Sequence, residues 1–222
     1  MLAPNSNEVT YNPRIFDVAS EAQARSIILT PEGGCLSHQR WETETPYLIN
    51  LILSKVRLTE NSFVLDYGCG IGRLARELIS RTGCRVVGVD ISPSMRGLAS
   101  PYVYDDFFFS CSPAMLDILV DRNKMRFDLA ISVWVLQHCF EPQDDLNLIY
   151  KSLVLDGKLF VVNNERRVVP TLERGWVDDG IDIKWLIKKM KLIEQEAGVL
   201  DPEIIPKSLV EGTFWMLCAK KK

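Results

Sequence analysis

Phe63-Val64-Leu65-Asp66-Tyr67-Gly68-Cys69-Gly70-Ile71-Gly72 is the stretch that decides the fold. A short apolar run ends in an acid, and glycines then alternate one by one. Arg73 to Ser80 follows with apolar residues at helical spacing. The order is therefore strand, tight turn, helix. Glycine lets the chain turn sharply and lets the backbone approach a ligand with no Cβ in the way. A second short run, Arg85-Val86-Val87-Gly88-Val89-Asp90, again ends in an acid. Two such runs around one helix make a βαβ unit, and that unit implies a parallel sheet.

The same alternation continues downstream. Ser92-Pro93 starts a helix that runs to about Ser100. Phe107 to Cys111 reads as a third strand, and Ser112-Pro113 starts the next helix. Phe127 to Val135 is a fourth strand, Asp144 to Leu153 a helix, and Lys158 to Asn163 a fifth strand. Asp182 to Lys191 is helical. Leu192 to Ala197 and Thr213 to Ala219 are final strands with no full helix between them, which predicts an antiparallel edge hairpin. The expected fold is α/β: one doubly wound, mostly parallel, seven-stranded sheet with helices on both faces.

Upstream, residues 1–13 are polar and read as an arm. Ala19 to Leu29 fits a helix, broken by Pro31-Glu32-Gly33-Gly34. Tyr47, Leu48, Leu51, Ile52 and Val56 mark a helix over Glu44 to Val56, with Thr45 as N-cap and Pro46 at its first position. Residues 1–60 are thus expected to form an arm and helical cap, and residues 61–222 the main domain of one structural unit.

The chain has 222 residues, enough for one such domain. Its 26 basic and 29 acidic residues leave a net charge of −3, so no broad basic footprint for nucleic acid is expected. Cysteines 35, 69, 84, 111, 139 and 218 show no C-x-x-C pair, and four lie in or beside apolar stretches. That usage points to a reducing, cytoplasmic compartment. Met1 to Asn12 has neither the basic nor the apolar region of a signal peptide, and no apolar run approaches the roughly 20 residues of a membrane span. With His38 and His138 as its histidines, the chain offers no histidine-rich metal site, and no metal is expected.

Asp66, Gly68, Gly70 and Gly72 form D-x-G-x-G-x-G. A dinucleotide fold instead uses G-x-G-x-x-G to seat a pyrophosphate. The spacing here suits a nucleoside ligand without phosphate. From about Trp41 onward, and most strongly over Val64 to Asp90, the chain resembles class I S-adenosylmethionine-dependent methyltransferases, whose motif I is similar to this loop. The resemblance implies S-adenosylmethionine as cofactor and S-adenosylhomocysteine as product. It places Asp66, Gly68, Cys69, Gly70 and Gly72 around the cofactor's amino-acid end and ribose. It places Asp90 on the two ribose hydroxyls, where two carboxylate oxygens suit a vicinal diol, with Ile91 beside it.

The same resemblance sets the remaining expectations. The family usually holds the adenine amino group with an acid after the third strand. This chain has Ser110-Cys111-Ser112-Pro113 there, so Ser112 or a backbone group takes that role, or the alignment slips to Asp105-Asp106, otherwise a solvated turn. The exit of the fourth strand is similar to the family's, which implies Ser132 and Val133 in the pocket and Trp134 beside the substrate. His138 is either a general base or a cap of its loop. Arg40 would pair with the cofactor's carboxylate and Trp41 would pack near the sulfonium. Otherwise they are a surface arginine and a core tryptophan. Arg73 would touch a ligand or start its helix on the solvent side.

For the acceptor, the sequence offers no N-P-P-Y motif and no catechol-type metal set. Asp144-Asp145 and Asp178-Asp179 read as helix-start and loop carboxylates. Asn163 to Asp182 reads as a long connection at the ligand end of the sheet, where loops shape specificity. Asn163, Arg166, Arg167 and Trp176 are expected to help define the acceptor pocket. The arginines would suit a carboxylate or phosphate. Otherwise they are a solvated pair beside a structural tryptophan. The expected function is methylation of an O- or N-nucleophile on a small molecule. A cofactor-binding regulator without methyl transfer is the alternative, and the glycine spacing disfavours a nicotinamide oxidoreductase.

Overall fold

Strand β1 (Phe63–Tyr67) is buried from Val64 onward, as a central strand covered on both faces must be. The structure, a computed structural model, describes residues 10–221. The first nine residues of the expected arm, most of the segment read as lacking a signal peptide, and Lys222 lie outside the described residues. Helices α1 (Glu21–Ile28) and α2 (Ser37–Lys55) precede β1. After it come α3 (Arg73–Thr82), β2 (Arg85–Val89), α4 (Pro93–Val103), β3 (Phe108–Cys111), α5 (Pro113–Asp121) and β4 (Phe127–Val133). A short 3-10 turn, Leu136–His138, then leads to α6 (Pro142–Ser152) and β5 (Leu153–Asn164). The chain finishes with β6 (Arg166–Thr171), β7 (Gly175–Asp182), α7 (Ile183–Lys189), β8 (Leu192–Gly198), α8 (Lys207–Val210) and β9 (Thr213–Lys220).

Seven strands form one sheet in the order β3-β2-β1-β4-β5-β9-β8. The first five run parallel, and β9 is antiparallel to both β5 and β8. The doubly wound fold and its antiparallel edge pair match the expectation. One face of the sheet packs on α2, α3 and α4 through residues such as Leu48, Ile52, Leu78 and Phe160. The other packs on α5, α6 and α7 through Leu116, Ile149, Ile187 and Phe127. The strand order reverses between β1 and β4, and a crevice opens there at the carboxyl ends of the strands.

Two expectations are corrected. Helix α2 begins at Ser37, well before Thr45, with the Leu36 amide held by the Gln39 side chain at 2.8 Å. Pro46 lies inside the helix, and the Thr45 hydroxyl donates to the Trp41 carbonyl. Burial of Arg40 and Trp41 on the core side overrides the local Thr-Pro start signal. Second, Asn163 to Asp182 is no open connection. β6 and β7 pair as an antiparallel hairpin of their own, closed at Thr171, whose hydroxyl accepts from the Arg174 amide and donates to the Gly175 carbonyl. The described part of the arm joins this hairpin. The Asn12 amide donates to the Pro170 carbonyl at 2.9 Å, and the Leu172 amide donates to the Thr10 carbonyl.

Candidate active site

The glycine loop leaves β1 in a left-handed conformation. Gly68, Gly70 and Gly72 have φ of +81°, +54° and +86°. A Cβ on Gly68 would lie 2.1 Å from Val135 Cγ2, and one on Gly70 would lie 2.6 Å from Ile28 Cδ1. The amides of Gly68 and Cys69 both donate to the Val89 carbonyl, tying the loop to β2. Asp90, just past β2, accepts from the Gly70 amide at 2.8 Å on Oδ2 and from the Ser92 amide at 2.9 Å on Oδ1. Burial pushes its carboxyl up while these two amides pull it down. Each oxygen keeps acceptor capacity beyond its one backbone partner.

Behind the loop lies Asp66. Its Oδ2 is buried with no hydrogen-bond partner among the described residues. Burial pushes its carboxyl from 3.8 up to about 7, against the attraction of Arg73. Arg73 is itself buried, and burial lowers its guanidinium to about 10. It donates to the Thr45 hydroxyl and lies 5.6 Å from the Trp41 ring. Arg73 therefore belongs to neither place expected for it, the solvent side or the ligand.

A cavity of about 580 Å³ opens over the loop, within the range of small-ligand sites. Gly68, Gly70, Asp90, Ile91, Val133 and Arg40 line it. Trp134, Trp176 and His138 line it as well. Trp134 holds φ +63°, strained for a bulky residue, and its indole nitrogen has no partner among the described residues. His138 Nδ1 lies 2.7 Å from the Val168 carbonyl and so carries the proton, which leaves Nε2 to accept from the Gln137 amide at 3.1 Å. Burial lowers the pKa of this ring, so it stays neutral.

Several expected contacts lie elsewhere. Cys69 and Asp66 sit beneath the loop, buried and outside the lining. Gly72 caps α3, and the Ser112 hydroxyl caps α5 by accepting from the Met115 amide, while Pro113 faces the cavity instead. Asp105 and Asp106 are exposed, and Asp105 accepts from the Phe107 amide, so they form the solvated turn. Trp41 packs edge-on against Tyr102 with the Arg25 guanidinium 4.7 Å over its ring, so its cation is the protein's own. Arg40 reaches the cavity already paired with Glu44 and the Thr30 carbonyl. Ser132 is buried in the sheet, away from the lining.

The acceptor expectations change most. Arg166 points out of the molecule, 3.9 Å from Asp178. Arg167 is buried, pairs with Asp179, and donates to the Cys139 and Phe140 carbonyls, so its donors are spent clamping the hairpin to the loop after β4. Asn163 is fully buried. It accepts from the Gln137 amide and donates to the Asn164 carbonyl, and Asn164 lines the cavity in its place. Residue-by-residue reasoning missed Tyr11, Phe16 and Phe140, which the chain brings in from distant segments. It also missed Tyr67 and Asp145. The Tyr67 hydroxyl donates to Asp145 Oδ1 in the cavity wall, and burial raises both groups. A tyrosine inside the glycine motif and an acid opening a helix were the signals available.

A family model described as "Methyltransferase domain" matches residues 65–161, from β1 into β5. Over those residues the chain is similar to methyltransferase domains. The ubiquinone biosynthesis O-methyltransferase of Idiomarina loihiensis is 27% identical over 128 residues, 53% of this chain and 51% of that protein. The chain spans about half the length, or less, of the first curated relatives it matches. Geranyl diphosphate methyltransferase, solved with GPP and sinefungin, aligns with a TM-score of 0.66 at 14% identity, covering 93% of this chain and 97% of that one. Phosphoethanolamine N-methyltransferase 2 of Haemonchus contortus, solved with S-adenosylmethionine, aligns with a TM-score of 0.60 at 18% identity, covering 90% of this chain and 56% of that one. At these identities the structures establish the fold. The ligand in that last structure is S-adenosylmethionine. The site fits it: Gly68 and Gly70 line the cavity with left-handed backbone packed against Val135 and Ile28, and Asp90 faces the cavity with its oxygens ordered. Among the described residues no group of His, Cys, Asp and Glu gathers to hold a metal, and no helix is long and apolar enough to cross a membrane.

Proposed function

We propose that the protein transfers a methyl group from S-adenosylmethionine to an oxygen or nitrogen of a small-molecule acceptor. Asp90 carries this reading: its carboxylate is fixed by the Gly70 and Ser92 amides at the edge of the cavity, ready for a vicinal diol. When bound, the cofactor supplies an electrophilic methyl group on a sulfonium. The domain's own work is placement. Gly68 and Gly70 turn the backbone along the cavity wall, Ile91 and Val133 bound the ligand, and Arg40 lies on the wall between Thr30 and Glu44. Holding donor and acceptor aligned supplies several kcal/mol of the barrier.

Tyr11 to Phe16, α1 and α2 act as the cap, with Tyr11, Phe16, Ile27 and Ile28 in the wall. Trp134 and Trp176 contact the acceptor. His138 serves as base only by exchanging the Gln137 amide for the acceptor's proton; otherwise it holds the hairpin through Val168. The net charge of −3 favours a small acceptor over nucleic acid, and the six free cysteines suit a reducing, cytoplasmic setting.

Thermal shift with S-adenosylmethionine, S-adenosylhomocysteine and NAD tests the cofactor, because a ligand selective for the native state raises its melting temperature. Both adenosyl ligands are expected to stabilise; stabilisation by NAD alone sinks the reading. Asp90→Ala is expected to abolish the shift, and full binding by that variant removes the ribose assignment. Transfer of labelled methyl to a metabolite panel then tests the activity.

A further inference from the structure

The cavity extends past the cofactor's half into a chamber with aromatic walls. Tyr11 packs on Phe140 with ring centroids 5.2 Å apart, and Trp176 packs on the neutral His138 ring at 4.9 Å. With Asp90 assigned to the ribose, two lining carboxylates remain, Glu141 and Asp145. Neither has an arginine or lysine in ion-pairing distance among the described residues. Asp145 takes hydrogen bonds from the Tyr67 phenol and the Cys139 thiol, and the Glu141 side chain makes none among the described residues. Among the described residues that line the cavity, Arg40 is the one cation, and Glu44 already neutralises it. The arginines that would have welcomed an anion are outside the molecule or spent in the hairpin clamp. Unpaired carboxylates and the faces of aromatic rings both attract positive charge, and both repel an anion.

We propose that the acceptor is a small organic cation, an amine protonated at neutral pH on an apolar or aromatic body, recognised by Glu141 and Asp145 beside Tyr11 and Trp176; where the amine nitrogen itself is methylated, it first gives its proton to one of these carboxylates, and its lone pair then forms the N–C bond as the S–C bond of the sulfonium breaks. The proposal rests on the S-adenosylmethionine reading and reverses the sign that the sequence suggests for the substrate.

Three probes of matched shape test it: 2-phenylethylamine, 2-phenylethanol and 3-phenylpropionate, titrated calorimetrically into protein saturated with S-adenosylhomocysteine. The amine is expected to bind at least roughly tenfold more tightly than the carboxylate, with the alcohol between them. Glu141→Gln and, separately, Asp145→Asn should each narrow that preference while the thermal shift by S-adenosylhomocysteine persists. A carboxylate that binds as well as the amine, no heat from the amine, or an undiminished preference in both variants overturns the proposal. Failure of the cofactor reading looks different: S-adenosylhomocysteine itself then gives no shift.

Discussion

Asp66 shows how one residue can serve a loop at a cost to the fold. Its carboxyl is buried with one oxygen unpartnered, and burial holds it near 7 instead of 3.8. The folded protein therefore prefers the protonated acid, while the unfolded chain gives up that proton near the ordinary value. The resulting stabilisation is complete below pH 4 and is lost as pH rises toward 7. Asp66→Asn cannot titrate. Urea unfolding of the ligand-free protein is expected to show wild type losing stability relative to Asp66→Asn between pH 4 and 7, by on the order of a few kcal/mol, and then running parallel. Parallel curves across the whole range would show that Arg73 keeps Asp66 ionised in the fold. The glycine loop around Asp66 was legible in the sequence because its demands are local. Left-handed backbone and missing Cβ atoms leave glycine as their mark. The fate of Arg73 and Arg167 was not legible, since each is buried by partners that only the folded chain brings near.

At the scale of elements, the strands and helices of the βαβ units were readable from periodicity, and the β6–β7 hairpin was not. Pro170 argues against a strand, and Asp178-Asp179-Gly180 reads as a loop. The hairpin forms because the segment finds edges and clamps elsewhere: the Thr10–Asn12 backbone along β6, and Arg167 reaching the carbonyls of Cys139 and Phe140. Arg167→Ala leaves Asp179 and two carbonyls short of their donor. It is expected to cost roughly 1–3 kcal/mol in chemical denaturation and to raise amide exchange in β6 and β7. The thermal shift by S-adenosylhomocysteine should stay, because Arg167 touches no lining of the cofactor's half. Unchanged exchange in the hairpin would assign the clamp to the other contacts of β6. Tyr11 and Phe16 escaped sequence reading for the same reason as the hairpin that holds them: their partners lie far along the chain.

For the whole molecule, the sheet puts the glycine loop and the aromatic chamber at one end of the strands, with helices covering both faces. The same sheet threads its strands out of order. β9 follows β8 in the chain, yet sits between β5 and β8 and bonds to both. On the ribosome, β5 thus waits with an open, apolar edge until Thr213–Lys220 has emerged, and β8 has no neighbour to join. An open edge of that kind invites pairing with other chains. Protease resistance of stalled nascent chains is expected to appear only after β9 clears the exit tunnel, and earlier resistance would mean that the parallel strands hold without it. The order of synthesis makes the strand farthest from the glycine loop in sequence the one that licenses the site.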